Sequence, residues 1–96
     1  PPASPARDSF TDAQREEGAR IYGTYCQICH MGPVNPDLRR SGMIASAQAF
    51  RSVVIDGALE RNGMASFRAY ISPAQAESVR AHISRMAEEL RDSGKK

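Results

Sequence analysis

Cys26-Gln27-Ile28-Cys29-His30 places two thiols three residues apart, with an imidazole directly after the second. Two cysteines at this spacing can add across the vinyl groups of a haem as thioethers, and the adjoining histidine is carried under the macrocycle as the proximal iron ligand. The pentapeptide uses both cysteines of the chain and one of its two histidines. Covalently attached haem c is therefore the expected cofactor, with Cys26 and Cys29 as attachment residues and His30 as a metal ligand.

Other chemistries of a Cys-x-x-Cys pair meet specific obstacles. A structural zinc site needs four ligands, and the chain offers only Cys26, Cys29, His30 and the distant His82. A thioredoxin-like pair follows a strand in a βαβ unit, whereas the residues before Cys26 carry a helical pattern. A disulfide across two intervening residues closes a very small loop and stabilises little.

An electron-carrying haem commonly has a second axial ligand, and the candidates are Met31, Met43, Met64, Met86 and His82. Met31 adjoins His30 and cannot reach the opposite face of the ring. Met86 lies on the apolar stripe of a helix, where methionine usually fills core. His82 flanks Ile83 on that same helix and is accounted for by packing. Met64 follows Gly63 in a loop, is distant enough from His30 for the chain to cross the disc, and has Phe67 three residues on. It is the expected second metal ligand, with Met43 as the alternative. A thioether is a soft neutral donor that favours reduced iron, so a His and Met pair implies a higher potential than two histidines.

The elements that must hold these residues are helical. Thr11-Asp12-Ala13-Gln14 has the form of a capping box, with Phe10 ahead of it as a hydrophobic staple. This helix runs through Ala19, Tyr22 and Tyr25 toward Cys26. A second is expected from Ser46, with Phe50, Val53 and Val54 on one face and Gly57 at its end. Ser72-Pro73-Ala74-Gln75 combines a capping serine, a proline at the first helical position and a box glutamine. Val79, Ile83, Met86 and Leu90 then recur at steps of four, three and four, which predicts a long terminal helix. Irregular segments over residues 31–42 and 58–70 suit loops passing round a haem.

Composition narrows the function classes. The 96 residues suffice for one domain whose unaided core is marginal, and a buried apolar disc would add to it. The formal charge is +2, with 13 basic residues interleaved among 11 acidic ones, so no basic block suggests nucleic acid. No apolar run is long enough to span a membrane. Residues 1–9, rich in proline, read as a linker or processed N-terminus, residues 10–92 as the domain, and residues 93–96 as a disordered tail. Together with the start at Pro1, this leads to the expectation that the chain is trimmed from something longer.

With these residues in hand, the stretch from about Thr11 to Leu90 resembles the class I c-type cytochromes. Gly18 with Tyr22 resembles the glycine and aromatic of the family's first helix, and Cys26 to His30 is its haem motif. Pro36-Asp37-Leu38 resembles the family's Pro-x-Leu, and Gly63-Met64 with Phe67 its distal methionine segment. The resemblance implies an all-α cytochrome c fold, three main helices wrapped round one haem, with the terminal helix crossing the first at Gly18. His82 stands there in place of the family's usual aromatic. The resemblance also implies that the Pro36 carbonyl accepts a hydrogen bond from the His30 ring, that Leu38 packs on the haem, and that Arg39 or Arg40 pairs with a propionate. Phe50, Val53, Val54 and Leu59 would be wall residues, a protein-packed helix face being the alternative for each.

The order of segments looks particularly like the cytochrome domains of quinohaemoprotein alcohol dehydrogenases, except that Ala65 stands where proline often follows the methionine. The implied role is that of a non-enzymatic, periplasmic, monomeric one-electron carrier. Its partners would be a fused or separate dehydrogenase and a downstream cytochrome or oxidase. The alternative is a haem enzyme or gas sensor with an open or weakly held distal position.

Overall fold

Both predicted capping boxes form. In the computed structural model, which describes residues 10–30, 37–64 and 66–93 and only the backbone of Ile28 and Cys29, helix α1 spans Asp12–Tyr25. The Thr11 N–H donates to Gln14 Oε1 at 2.9 Å and the Gln14 N–H to Thr11 Oγ1 at 3.1 Å, so two amides of the first turn that lack helical partners are satisfied reciprocally. Helix α4, Pro73–Ser93, starts the same way: the Ser72 N–H reaches Gln75 Oε1 at 2.8 Å and the Gln75 N–H reaches Ser72 Oγ at 3.1 Å. It extends one residue into the expected tail. The proline-rich 1–9, residues 94–96, Met31, Pro36 and Ala65 lie outside the described residues.

Between these helices lie a single turn α2, Gln27–His30, and helix α3, Ala47–Val54. Short 3-10 turns occupy Leu38–Arg40, Gly42–Ala45 and Glu60–Asn62. Ser46 caps α3 through its hydroxyl, which accepts the Ala49 N–H at 3.2 Å. The helix stops at Val54 with Ile55 as its cap, earlier than a stop at Gly57 would place it. Gly57 instead turns the chain after the helix, at φ 74°. No strand occurs among the described residues, and the fold is all-α, with α1, α3 and α4 as its three main helices.

The predicted crossing of α1 and α4 is present at Gly18. A β-carbon there would come within 1.8 Å of the Ser78 carbonyl oxygen, so only glycine permits this approach. One turn on, Tyr22 meets His82 edge to face, with ring centroids 5.3 Å apart and planes at 60°. His82 thus packs as the expected aromatic would. Burial from water lowers its pKa from the usual value, Arg85 adds to that, and Glu89 opposes it.

The core joins Ile21 of α1, Phe50 and Val54 of α3, Ile44, Ile55 and Ile71 of the connections, and Ala76, Val79, Ile83 and Ala87 of α4. On α4 the stripe forms by alternation of small and large residues. Val79 and Ile83 are buried, whereas Met86 and Leu90 are only half-buried and Ala76 and Ala87 complete the face. The staple at the start of α1 does not form, because the fourth helical position is Arg15. Its Nη1 donates to the Phe10 carbonyl at 3.1 Å, and the Phe10 ring lies 5.0 Å from the guanidinium carbon of Arg80.

Candidate haem site

The chemistry-bearing pentapeptide sits where α1 ends. Cys26 is the C-cap of α1, its N–H donating to the Tyr22 carbonyl at 2.9 Å, and the chain continues directly into α2. The His30 N–H donates to the Cys26 carbonyl at 3.2 Å, so one helical turn separates them and the two residues share a face of the backbone. The Cys26 side chain is buried at 8% exposure and His30 is half-buried. The side chain of Cys29 lies outside the described residues.

Several predicted cofactor contacts belong to, or pack on, one apolar cluster with Cys26. Cys26, Phe50 and Val54 belong to the buried core cluster, and Leu38, Met64 and Phe67 pack on it while remaining partly exposed. Gly63 precedes Met64 at φ 94°, a left-handed conformation that glycine adopts without steric cost. The Met64 N–H donates back to the Leu59 carbonyl at 3.2 Å. Beyond it, the Phe67 N–H donates to the Val54 carbonyl at 2.8 Å and the Ser66 hydroxyl to the Ile55 carbonyl at 2.7 Å, which ties the loop to the end of α3. Met43 is 46% exposed and is absent from the cluster that contains Met64.

Three predicted contacts have different surroundings. Leu59 is 38% exposed and outside the core cluster, because it heads the 3-10 turn and offers its carbonyl to Asn62 and Met64. Phe50 and Val54 are already buried by protein, at 6% and 4% exposure, in keeping with the helix-face alternative. Phe50 also lines a groove of about 480 Å³ between α3 and the start of α4, whose other walls include Ala47, Arg51, Pro73 and Glu77 and no residue of the pentapeptide.

Arg39 holds a partner of its own. Its Nε lies 3.0 and 3.1 Å from the two Asp37 oxygens and its Nη2 lies 2.7 Å from Oδ2, while Arg40 Nε stands 3.7 Å from the same carboxylate. The hydrogen bond from Arg39 holds Asp37 below its usual carboxylate range, desolvation opposing and Arg40 assisting, and the same pair raises Arg39. Burial pushes the Tyr22 phenol up, and the Asp37 carboxylate pushes it further while Arg39 opposes.

Sequence patterns do not disclose two features of the packing. Tyr25, the last residue of α1, touches Phe67 and Tyr70 through its ring, a contact between segments 42 residues or more apart in the chain. Arg80 is fully buried on α4. The only prior signals were the aromatic type next to Cys26 and a charged residue beside Val79 on the stripe.

The donor set fits a haem. Cys26 and His30 stand one helical turn apart at the end of α1, and Tyr25, Leu38, Met64 and Phe67 pack on the core cluster that contains Cys26 while remaining only partly covered by protein. Among the described residues no three His, Cys, Asp or Glu side chains converge as a metal-ion cage, and no helix is long and apolar enough to cross a membrane.

Comparison with known proteins identifies the family. Residues 13–83 match the family model described as Cytochrome C oxidase, cbb3-type, subunit III. The dehydrogenase subunit of alcohol dehydrogenase (quinone) from Gluconobacter oxydans (strain 621H) is 35% identical over 89 residues, covering 88% of this chain and 12% of that protein. Cytochrome c6 of Nostoc sp. is 32% identical over 81 residues, covering 74% of this chain and 69% of the relative. Among solved structures, quinohemoprotein alcohol dehydrogenase ADHIIG from Pseudomonas putida HK5 superposes with a TM-score of 0.82 at 29% identity. That match covers 96% of this chain and 14% of the other. The chain thus spans about an eighth of the dehydrogenases it resembles. With its helix crossing at Gly18, its Cys-x-x-Cys-His turn and these relatives, the chain belongs to the c-type cytochrome domains of this family, electron-transfer modules whose cofactor is covalently bound haem c.

Proposed function

We propose that this domain carries single electrons from an alcohol dehydrogenase, fused or separate, to a downstream cytochrome or oxidase, in the periplasm and as a monomer when isolated. Haem, when bound, supplies an iron that cycles between two oxidation states. Cys26 and Cys29 would hold it as thioethers, and His30 and Met64 would be its axial ligands. The Pro36 carbonyl would accept the other ring N–H of His30, fixing its tautomer and raising its basicity. Leu38, Phe67 and the α3 face of Phe50 and Val54, with Leu59 at the margin, would exclude water. Arg39, already oriented by Asp37, or Arg40 would meet a propionate. Residues 10–92 would form the domain and residues 1–9 its linker.

The observation that carries this reading is the position of Met64. It is packed on the same apolar cluster as Cys26, in a loop tied to the end of α3. A methionine held there disfavours an open distal position and favours an electron carrier, whose two retained ligands keep its geometry similar in both oxidation states. Encounters with redox partners would be small and transient.

The test begins with the holo protein, whose mass should equal chain plus one haem. The oxidised form should show the weak methionine-to-iron charge-transfer band toward the red end of the visible spectrum. Met64→Ala should abolish it and Met43→Ala should leave it. Loss of the band in Met43→Ala alone would transfer the ligand assignment to that residue.

A further inference from the structure

Three aromatic rings link the segment bearing Cys26 to the loop bearing Met64. Tyr25 immediately precedes Cys26. Its ring meets Phe67 edge to face, with centroids 6.1 Å apart and planes at 62°, and stacks on Tyr70 at 5.9 Å and 28°. The Tyr70 N–H donates to the Phe67 carbonyl at 2.9 Å, so both loop rings that meet Tyr25 come from one hydrogen-bonded turn. Tyr70 is 66% exposed and its ring is nevertheless held against Tyr25. The hydrogen bonds of Ser66 and Phe67 tie the loop to the end of α3 and not to α1.

We infer that Tyr25 is a positioning residue which, clasped by Phe67 and Tyr70, holds the Met64 loop against the haem-attachment segment and so keeps the distal position closed to small external ligands. The inference rests on Met64 as the distal ligand. Among the described residues the aromatic contacts between this loop and the end of α1 all pass through the Tyr25 ring, so the opening equilibrium should follow the number of ring contacts and not the phenol hydroxyl.

Imidazole titrated into the oxidised holo protein, followed by loss of the charge-transfer band, reads that equilibrium directly. Tyr25→Leu removes both ring contacts and should raise the apparent affinity for imidazole about tenfold. Tyr25→Phe keeps the ring and should stay within about twofold of the parent protein. Tyr70→Ala alters a mostly exposed ring, leaves folding intact, and should raise the affinity about threefold; it carries the test if Tyr25→Leu does not fold. Parental affinity in Tyr70→Ala together with either parental affinity or misfolding in Tyr25→Leu would overturn the inference, as would a Tyr25→Phe affinity equal to that of Tyr25→Leu. Failure of the ligand assignment looks different: the band would be missing from the parent protein or would survive Met64→Ala, whatever happens at Tyr25.

Discussion

Gly63 and His82 show how single positions set the terms for the site. At φ 94° Gly63 delivers the chain into Met64 in a conformation that an L side chain resists. Gly63→Ala is expected to destabilise the holo protein by about 1–2 kcal/mol, measured by urea unfolding, whereas Gly42→Ala, with nothing within 4 Å of the added carbon, should be neutral. His82 is a packing residue whose burial has a pH signature. In the unfolded chain it takes a proton near 6.5, and in the folded state its pKa is lower. Its neutral form is therefore the stabilising one. That contribution is complete above pH 6.5 and is lost as pH falls through 6.5 toward the folded value. His82→Phe should keep the contact with Tyr22 and flatten this part of the stability profile, measured by unfolding between pH 7.5 and 5.5; an unchanged slope would assign it to other groups. Cys26, Cys29, His30 and Met64 were readable as candidate haem residues without a structure because ligand chemistry is carried by residue type and spacing. The engagement of Arg39 with Asp37 was not, since a guanidinium two residues from a carboxylate can equally turn to solvent.

At the scale of elements, the helix starts were the most legible features and the 3-10 turns the least. A capping box is a local device, complete within four residues, so Thr11 to Gln14 and Ser72 to Gln75 disclose both bonds in advance. The turns at Leu38–Arg40 and Glu60–Asn62 have no period to detect, and short apolar residues there take whatever exposure the neighbouring chain leaves. Leu59 illustrates this: its carbonyl is engaged by Asn62 and Met64 while its side chain stays at the surface. The α1 and α4 pairing depends on contact between backbones at Gly18 and Ser78. Gly18→Ala should force the helices apart at a cost of about 3 kcal/mol, seen as a lower unfolding midpoint, whereas Gly23→Ala, whose added carbon would meet only the end of Gln27 at 3.6 Å, should change stability by less than about 0.5 kcal/mol.

The whole molecule is joined through Arg80, a fully buried cation that no periodicity anticipates. Its Nη1 donates to the Ile44 carbonyl at 3.0 Å, its Nε to Glu77 at 2.9 Å, its Nη2 also meets Glu77, and its guanidinium faces the Phe10 ring. One side chain thereby connects α4, the connection after the Asp37 segment and the entry to α1. Arg80→Met removes every one of these bonds and leaves the Ile44 carbonyl buried without this donor. The expected destabilisation is about 3 kcal/mol, with Arg80→Lys intermediate because an ammonium cannot reproduce the fork; thermal unfolding of the holo variants measures it. By itself the sequence determined the cofactor chemistry, the all-α class and both capped helices, because these depend on residue type and on spacings within a turn or two. Tertiary structure alone decided that Arg80 is buried, that Arg39 turns to Asp37, that Leu59 stays in water and that Tyr25 is clasped by Phe67 and Tyr70. The burial of Arg80 and the clasping of Tyr25 depend on which distant segment arrives beside the side chain, which the packing of the whole chain sets, whereas Arg39 and Leu59 follow from 3-10 turns that leave no period to read.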